Sequence, residues 1–344
     1  MGSSTAPVVS IVTVAHNARE ALLKGLAAVE AGTEVPTELI VVDNGSTDNT
    51  AAAMRHAFRE VALERRKAPL PPLAAANLGA ARARAPWLLF LDPGLEPVGD
   101  AIRTLLEHAG GHPEDRLWTG RTLRDGADDG RTVEGPPSLW GTVCLAAGLP
   151  LEPERLPGLD RAIGGAVPAV TPRMLLVERG LWEALGGFDE SLPASDLSVR
   201  ARAHGARPTL VPDAQMASLS PAPARPPVST AGLAARMAFA RRHWSPGRAR
   251  AAGWVLGAAA LLRSVTGDPW RTAWQARAAW LSTVDEGHLT PRPSGPLLTA
   301  LPAQRPSSSL PSSSEPSSSE PSSSEPSSSS EPSSLRPREG SRQP

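Results

Sequence analysis

Three short stretches of this chain place acids, amides and glycines directly after apolar runs. Ala15-His16-Asn17 follows the run Val8 to Val14, Asp43-Asn44-Gly45-Ser46-Thr47-Asp48 follows ELIVV, and Asp92-Pro93-Gly94 follows WLLFL. In an open parallel sheet the ligand sits outside the carboxyl ends of the strands, so these residues are the ones that would meet it. A carboxylate there can accept two hydrogen bonds from a nucleobase edge or a ribose, and Asp43 has that position. Asp92 is placed to face a ribose, a metal or a diphosphate. Asp-Asn-Gly-Ser is also an ordinary turn leading into a helix, with Ser46 or Thr47 as the cap and Asp48 in the first turn. Both readings stand at this point.

The elements that must position these residues follow from periodicity. Val8 to Val14, Glu38 to Asp43 and Trp87 to Asp92 are short, nearly continuous apolar runs, as strands buried on both faces require. Leu22, Leu23, Leu26 and Val29 line one face of a helix after the first run, and Ala74 to Ala85 reads as a helix before the third. Strand and helix alternate, which predicts right-handed βαβ units in a doubly wound sheet. Residues 110–170 have little periodicity beyond a strand near Leu117 to Leu123. Order resumes at Met174 to Leu185, with a short helix over Ser195 to His204 and a strand end at Pro208 to Pro212. Residues 230–283 read as helical, with Ser245-Pro246 and Asp268-Pro269 as helix starts.

Composition narrows the function. Thirty-five basic residues balance thirty-five acidic ones in 344 residues, which gives no hint of a nucleic-acid partner. The single cysteine, Cys144, excludes an internal disulfide framework and suits a reducing compartment, so the expected location is cytoplasmic. The first residues lack the pattern of a secretory signal, and the longest apolar run, Trp254 to Leu262, is too short to span a bilayer.

The segments VSIVTVAHN, ELIVVDNGSTDNT, AANLGAARARAPWLLFLDPG, LGGFDES and DLSVRARAHG, in that order and spacing, resemble family-2 glycosyltransferases, and the rhamnosyltransferase-like branch most. These are inverting enzymes of the GT-A fold, and the resemblance covers about residues 8–215. It implies an α/β, GT-A-like doubly wound mixed sheet flanked by helices. It further implies a nucleotide-diphosphate-sugar donor and a cell-envelope or polysaccharide acceptor, saccharide or lipid-linked. By the same resemblance Asp43, with Asn44 and Gly45 beside it, binds the base, Ala15, His16 and Asn17 line base and ribose, and Asn77 and Gly79 lie near the donor. Asp92 begins the Asp-x-Asp motif, whose second acid ligates Mg2+ or Mn2+.

The chain departs from that pattern at three chemical positions. The second acid of the metal motif is Gly94, the acidic pair expected before Asp196 is Pro193-Ala194-Ser195, and no histidine follows VPDA, where Gln215 and Ser218 stand instead. Glu96 could complete the metal site if the loop turned back as one helical turn, and Asp196 or Glu190 could serve as the base. The alternative is a degenerate family member that binds a nucleotide or acts in assembly without turnover.

The expected plan is a nucleotide-binding half (1–100), an acceptor-side half of the same domain (101–225), a basic helical segment (229–285) and a disordered tail (290–344). The helical segment holds eight arginines and five of the nine tryptophans. Trp270, Trp274 and Leu281 share one face with Arg277 alongside, which suggests peripheral contact with the inner face of a membrane. The tail repeats Pro-Ser-Ser-Ser-Glu and has nothing apolar to bury.

Overall fold

The apolar runs form the centre of a mixed sheet. The structure, a computed structural model, describes residues 6–149, 165–219, 228–267 and 269–281. Its first half alternates strand and helix: β1 (Val9–Ala15), α1 (Arg19–Gly32), β2 (Thr37–Asn44), α2 (Thr50–Ala57), β3 (Ala62–Arg66), α3 (Pro72–Ala80) and β4 (Trp87–Leu91). There follow β5 (Leu95–Val98), α4 (Ala101–Gly111), β6 (Arg116–Arg124), β7 (Ala127–Asp128), β8 (Val133–Glu134), α5 (Leu139–Ala147), β9 (Gly165–Ala166) and β10 (Ala169–Val170). Then come β11 (Met174–Glu178), α6 (Arg179–Leu185), α7 (Asp196–Ala203) and β12 (Arg207–Ser218). The described chain ends in α8 (Thr230–His243), α9 (Pro246–Arg263), a 3-10 turn, α10 (Trp270–Gln275) and α11 (Arg277–Leu281).

The strand order is β3-β2-β1-β4-β11-β6-β12-β5, with β7 on β6 and β9 on β12. β3, β2, β1 and β4 run parallel, whereas β11 lies antiparallel between β4 and β6. This is the expected mixed sheet flanked by helices. Chain order reverses between β1 and β4, the kind of crevice where open sheets bind ligands. Register sets Ala15 beside Asp43, and Asn44 beside Arg66.

Period-2 alternation explains the two core faces. Val12, Leu88, Phe90, Leu175 and Val177 enter one cluster, and Val9, Ile11, Leu89, Leu91, Met174 and Leu176 enter the other. Each such side chain contributes about 1.5–3 kcal/mol by leaving water. β3, ALERR, had no apolar run to reveal it and pairs as an edge strand. α5 arises inside the stretch that lacks periodicity, capped at Ser138, whose hydroxyl accepts from Gly141 N–H, and ended at Gly148 with φ +66°. Its packing partner is α9, more than a hundred residues later.

Two expectations change here. α2 begins at Thr50, with Asp48 ahead of it: Asp48 Oδ1 accepts from Thr50 N–H at 3.1 Å and from its hydroxyl at 2.5 Å. Ser46 and Thr47 do not cap it because Asn17 engages both. The face of Trp270, Trp274 and Leu281 is turned inward. Trp270 and Trp280 are buried against α9, and Trp274 and Leu281 pack half-buried on the same cluster, with Arg277 over the Trp274 ring. The expected tail lies outside the described residues.

Candidate functional site

Backbone and side-chain bonds knit the ends of β1 and β2 together. Asn17, with φ +50°, accepts from Thr47 N–H at 2.8 Å and donates its own N–H to Ser46 Oγ at 3.1 Å. His16 Nδ1–H donates to the Asn44 carbonyl at 2.8 Å, which leaves Nε2 as an acceptor for the Asn17 amide at 3.3 Å. Asn44 holds the segment after β3 as a strand neighbour would, donating to Leu70 O at 2.9 Å and accepting from Leu70 N–H at 2.8 Å. Gly45 has φ +76°, and a Cβ there would stand 2.8 Å from Pro69 N. Asn44 and Gly45 therefore hold the segment after β3 against the end of β2.

Asp43 lies at the floor with 1% of its side chain exposed. Its Oδ1 accepts from Ser46 N–H at 3.0 Å, but Oδ2 is buried without a hydrogen bond, with Arg65 Nε 3.9 Å away. A buried carboxylate oxygen left without a donor costs about 1–3 kcal/mol or more. Arg66 Nε, beside Asn44 in register, is a second buried polar atom without a partner, and Arg173 Nε, just before β11, is a third. These buried atoms without hydrogen bonds lie at the carboxyl-end side of the parallel strands.

Asn77 and Gly79 serve α3 itself. The Asn77 amide donates to Phe188 O and accepts from Phe188 N–H, both at 2.9 Å, clamping the LGGFDES turn. A Cβ at Gly79 would meet Val12 Cγ1 at 2.5 Å, so glycine lets α3 lie close on β1. The resemblance put both near the donor; the structure shows the Asn77 amide bound to the Phe188 backbone and Gly79 close against Val12.

Asp92 follows β4 in a turn closed by Leu95 N–H to Asp92 O at 3.4 Å, with Pro93 and Gly94 at its centre and φ +80° at Gly94. Those are the residues a type II turn requires. Glu96 therefore does not swing back on a helical turn; it sits in β5, paired with Ala217. Asp92 has Arg173 Nε 4.0 Å away, and 53% of its side chain is exposed. Desolvation in the crowded recess, aided by Asp129 and opposed by Arg173, pushes its carboxyl up to about 6. Water on the open side tempers that shift. Arg173 also bonds Ser218 Oγ at 2.8 Å and pairs with Asp129 at 3.2 Å. No group of three or more His, Cys, Asp or Glu suited to a metal ion occurs among the described residues.

At the start of α7 Asp196 is buried, 1% exposed, with both oxygens engaged. Arg200 Nε donates to Oδ2 and His243 Nε2 to Oδ1, each at 2.6 Å. Arg200 also donates to the Leu185 and Gly187 carbonyls. Asp196 cannot itself take a proton from an acceptor. Glu190 is exposed in the turn before α7 and has no hydrogen bond or ion pair among the described residues. His243, a residue of α8 that sequence reasoning passed over, presents Nδ1 with no hydrogen-bonding partner among the described residues. Its signal was hidden because 47 residues separate it from Asp196. Arg242 beside it binds Asp189 at 3.1 Å. Burial opposes the charged form of Asp189, but bonds from Ser191 and the charge of Arg242 outweigh it and hold its carboxyl below the usual range.

Two bond chains tie α7 to the Asp92 recess. Ser198 Oγ accepts from Val170 N–H at 3.1 Å, and Thr171 Oγ1 donates to Arg131 O at 2.8 Å. Arg131 N–H in turn donates to Asp129 at 3.1 Å. Arg173 is three residues past Val170, a backbone reach of at most about 10 Å.

The sequence pattern of the family described as Glycosyl transferase family 2 matches residues 10–154. That span carries Asp43 and Asp92 but neither Arg173 nor Asp196. No curated protein matches the chain. Among solved structures, one similar to this chain is the mannosyltransferase PcManGT from Pyrobaculum calidifontis, in complex with GDP-Man and Mn2+. It is 19% identical, with 81% of each chain covered and a TM-score of 0.48.

Proposed function

We propose that this chain transfers a sugar, hexosyl or deoxyhexosyl, from a nucleotide-diphosphate-sugar to a saccharide or lipid-linked acceptor of the cell envelope, with inversion. The observation that carries it is Asp43 Oδ2, a buried acceptor without a hydrogen-bond donor at the carboxyl end of β2, one strand from the switch point of the sheet. An imide N–H or a ribose hydroxyl would satisfy it. The exposed Arg65 side chain is the movable group above it. The family match over residues 10–154 supports the donor class.

A divalent cation does not fit the residues present. The two carboxylates there, Asp92 and Asp129, already flank the Arg173 guanidinium, and Gly94 and Glu96 are committed to turn and strand. The chain's own cation there is Arg173, whose Nε stands 4.0 Å from Asp92 and makes no hydrogen bond; a phosphate oxygen would supply one. The base in this reading is His243. Asp196 holds the imidazole through Nε2–H, and Nδ1 takes the proton of the acceptor hydroxyl as its oxygen attacks the anomeric carbon and the nucleoside diphosphate leaves with the bonding pair. A cytoplasmic site at the inner membrane face suits lipid-linked acceptors.

A second reading is favoured by the Gly94 turn and the saturated Asp196: a module that binds the nucleotide without turning it over. Donor hydrolysis across a panel of nucleotide-sugars, with and without Mn2+, separates the two. Turnover that survives EDTA and falls at least tenfold in His243→Gln supports the transferase; binding without turnover of any donor supports the module.

A further inference from the structure

α9 is apolar on both sides, and among the described residues only one side has a partner. Ala249, Ala252, Gly253, Leu256, Ala259 and Ala260 are buried within the cluster that α8, α10 and α11 complete. Ala251, Trp254, Ala258 and Leu261 recur at spacings of three and four on the opposite side, with Leu262 alongside and Val265 in the 3-10 turn that follows. Trp254 is 80% exposed, Leu262 72% and Val265 80%. A helix that is hydrophobic all round is normally covered. No charged residue interrupts the sequence from Ala251 to Leu262.

The charges around this stripe are almost all basic, Asp268 being the one acid between Ser229 and Thr283. Arg248 and Arg250 stand exposed at its amino end, Arg263 closes its carboxyl end, and Arg271 is exposed just beyond. No Asp or Glu occurs from Ser229 to Gly267. Two copies packed antiparallel through this face would set arginine against arginine. An anionic lipid surface is complementary to it: the apolar stripe enters the acyl boundary, the guanidiniums meet phosphate, and the Trp254 ring suits the interface. The helix is 18 residues, about 27 Å, and no helix among the described residues is long and apolar enough to cross a membrane, so it can lie on the surface.

We infer that the outer face of α9 docks the protein flat on an anionic membrane. The occupant is a lipid surface, and the contact residues are Trp254, Leu261, Leu262 and Val265 with Arg248 and Arg250. Docking and donor turnover are separable, because none of these residues belongs to the strand-end pocket. α9 follows α8, which carries His243, so docking would hold the acceptor side of the site near the bilayer.

The test is co-sedimentation of the full chain with vesicles of phosphatidylcholine and phosphatidylglycerol in equal parts, and with phosphatidylcholine alone. Binding to the anionic vesicles at low salt, weakened at least tenfold by W254Q/L262Q/V265S and by high salt or R248Q/R250Q, supports the assignment. These positions are exposed, so the variants should melt with the wild type. Absence of binding to anionic vesicles at low salt overturns it, as does full binding by the triple variant. Wild type that is dimeric by light scattering, with a monomeric triple variant, also overturns it, because a second copy then covers the face.

Discussion

Replacing Asp196 by alanine should destabilise the protein severely. The carboxylate is buried and receives two charge-assisted bonds of 2.6 Å, from Arg200 and His243. Removing one partner of a buried ion pair costs about 3–5 kcal/mol because the remaining charge is left uncompensated. Arg200 keeps the Leu185 and Gly187 carbonyls, so the loss should fall near the lower end, about 3 kcal/mol. At about 2–4 °C per kcal/mol for a domain of this size, Tm should drop by about 6–12 °C. Asp196→Asn, which keeps an acceptor but loses the charge, should fall in between. Thermal melts followed by circular dichroism measure this. In a double-mutant cycle with His243→Ala, coupling of about 1 kcal/mol or more should appear, as for residues in one network. A Tm within 2 °C of wild type, or additivity in the cycle, would refute the view that Asp196 locks α7 to α8.

Gly79→Ala should cost about 1–3 kcal/mol through overpacking against Val12, read as a lower urea midpoint with an unchanged m-value. Gly94→Asp, which restores the acid of the metal motif, should destabilise by about 1–2 kcal/mol because φ is +80° there, and calorimetry should show no tight Mn2+ binding. Asp92 is an acid whose folded pKa, about 6, lies above its ordinary value, so the folded state binds the extra proton and stability falls as pH rises from about 4 to 6. Asp92→Asn should therefore gain on the wild type as pH rises through that window. Because water reaches half of the side chain, the gain should stay below about 1 kcal/mol. A variant that loses on the wild type over the same pH range would contradict the shift.

β1, β2 and β4 were legible because they are buried on both faces and announce themselves as apolar runs. Asp43 and Asp92 were legible for the same reason, since a strand end is a position in sequence. Glu96 was misjudged because Pro93-Gly94 favours a tight turn into a strand over a helical turn. Asn77 and Gly79 were found, but their work is to hold α3 in place, which depends on contacts with Phe188 and Val12 that spacing does not display. His243 and Arg173 were missed outright. Each acquires its role from a partner brought up by the fold, and neither lies in a motif. The tryptophan-rich helices were recognised as amphipathic, yet the buried side was taken for the outer one, because α10 and α11 are short and pack on α9, leaving Trp254 outside.

The most direct test of the donor pocket is isothermal titration of the purified chain with pyrimidine nucleoside diphosphates, comparing wild type, Asp43→Asn and Asp43→Ala. A hydrogen bond to a charged group contributes about 1.5–3 kcal/mol, so losing it should weaken binding by about 10- to 100-fold. Wild-type binding with at least tenfold loss in both variants, each still folded, is the predicted result. Equal affinity in all three proteins would contradict the account.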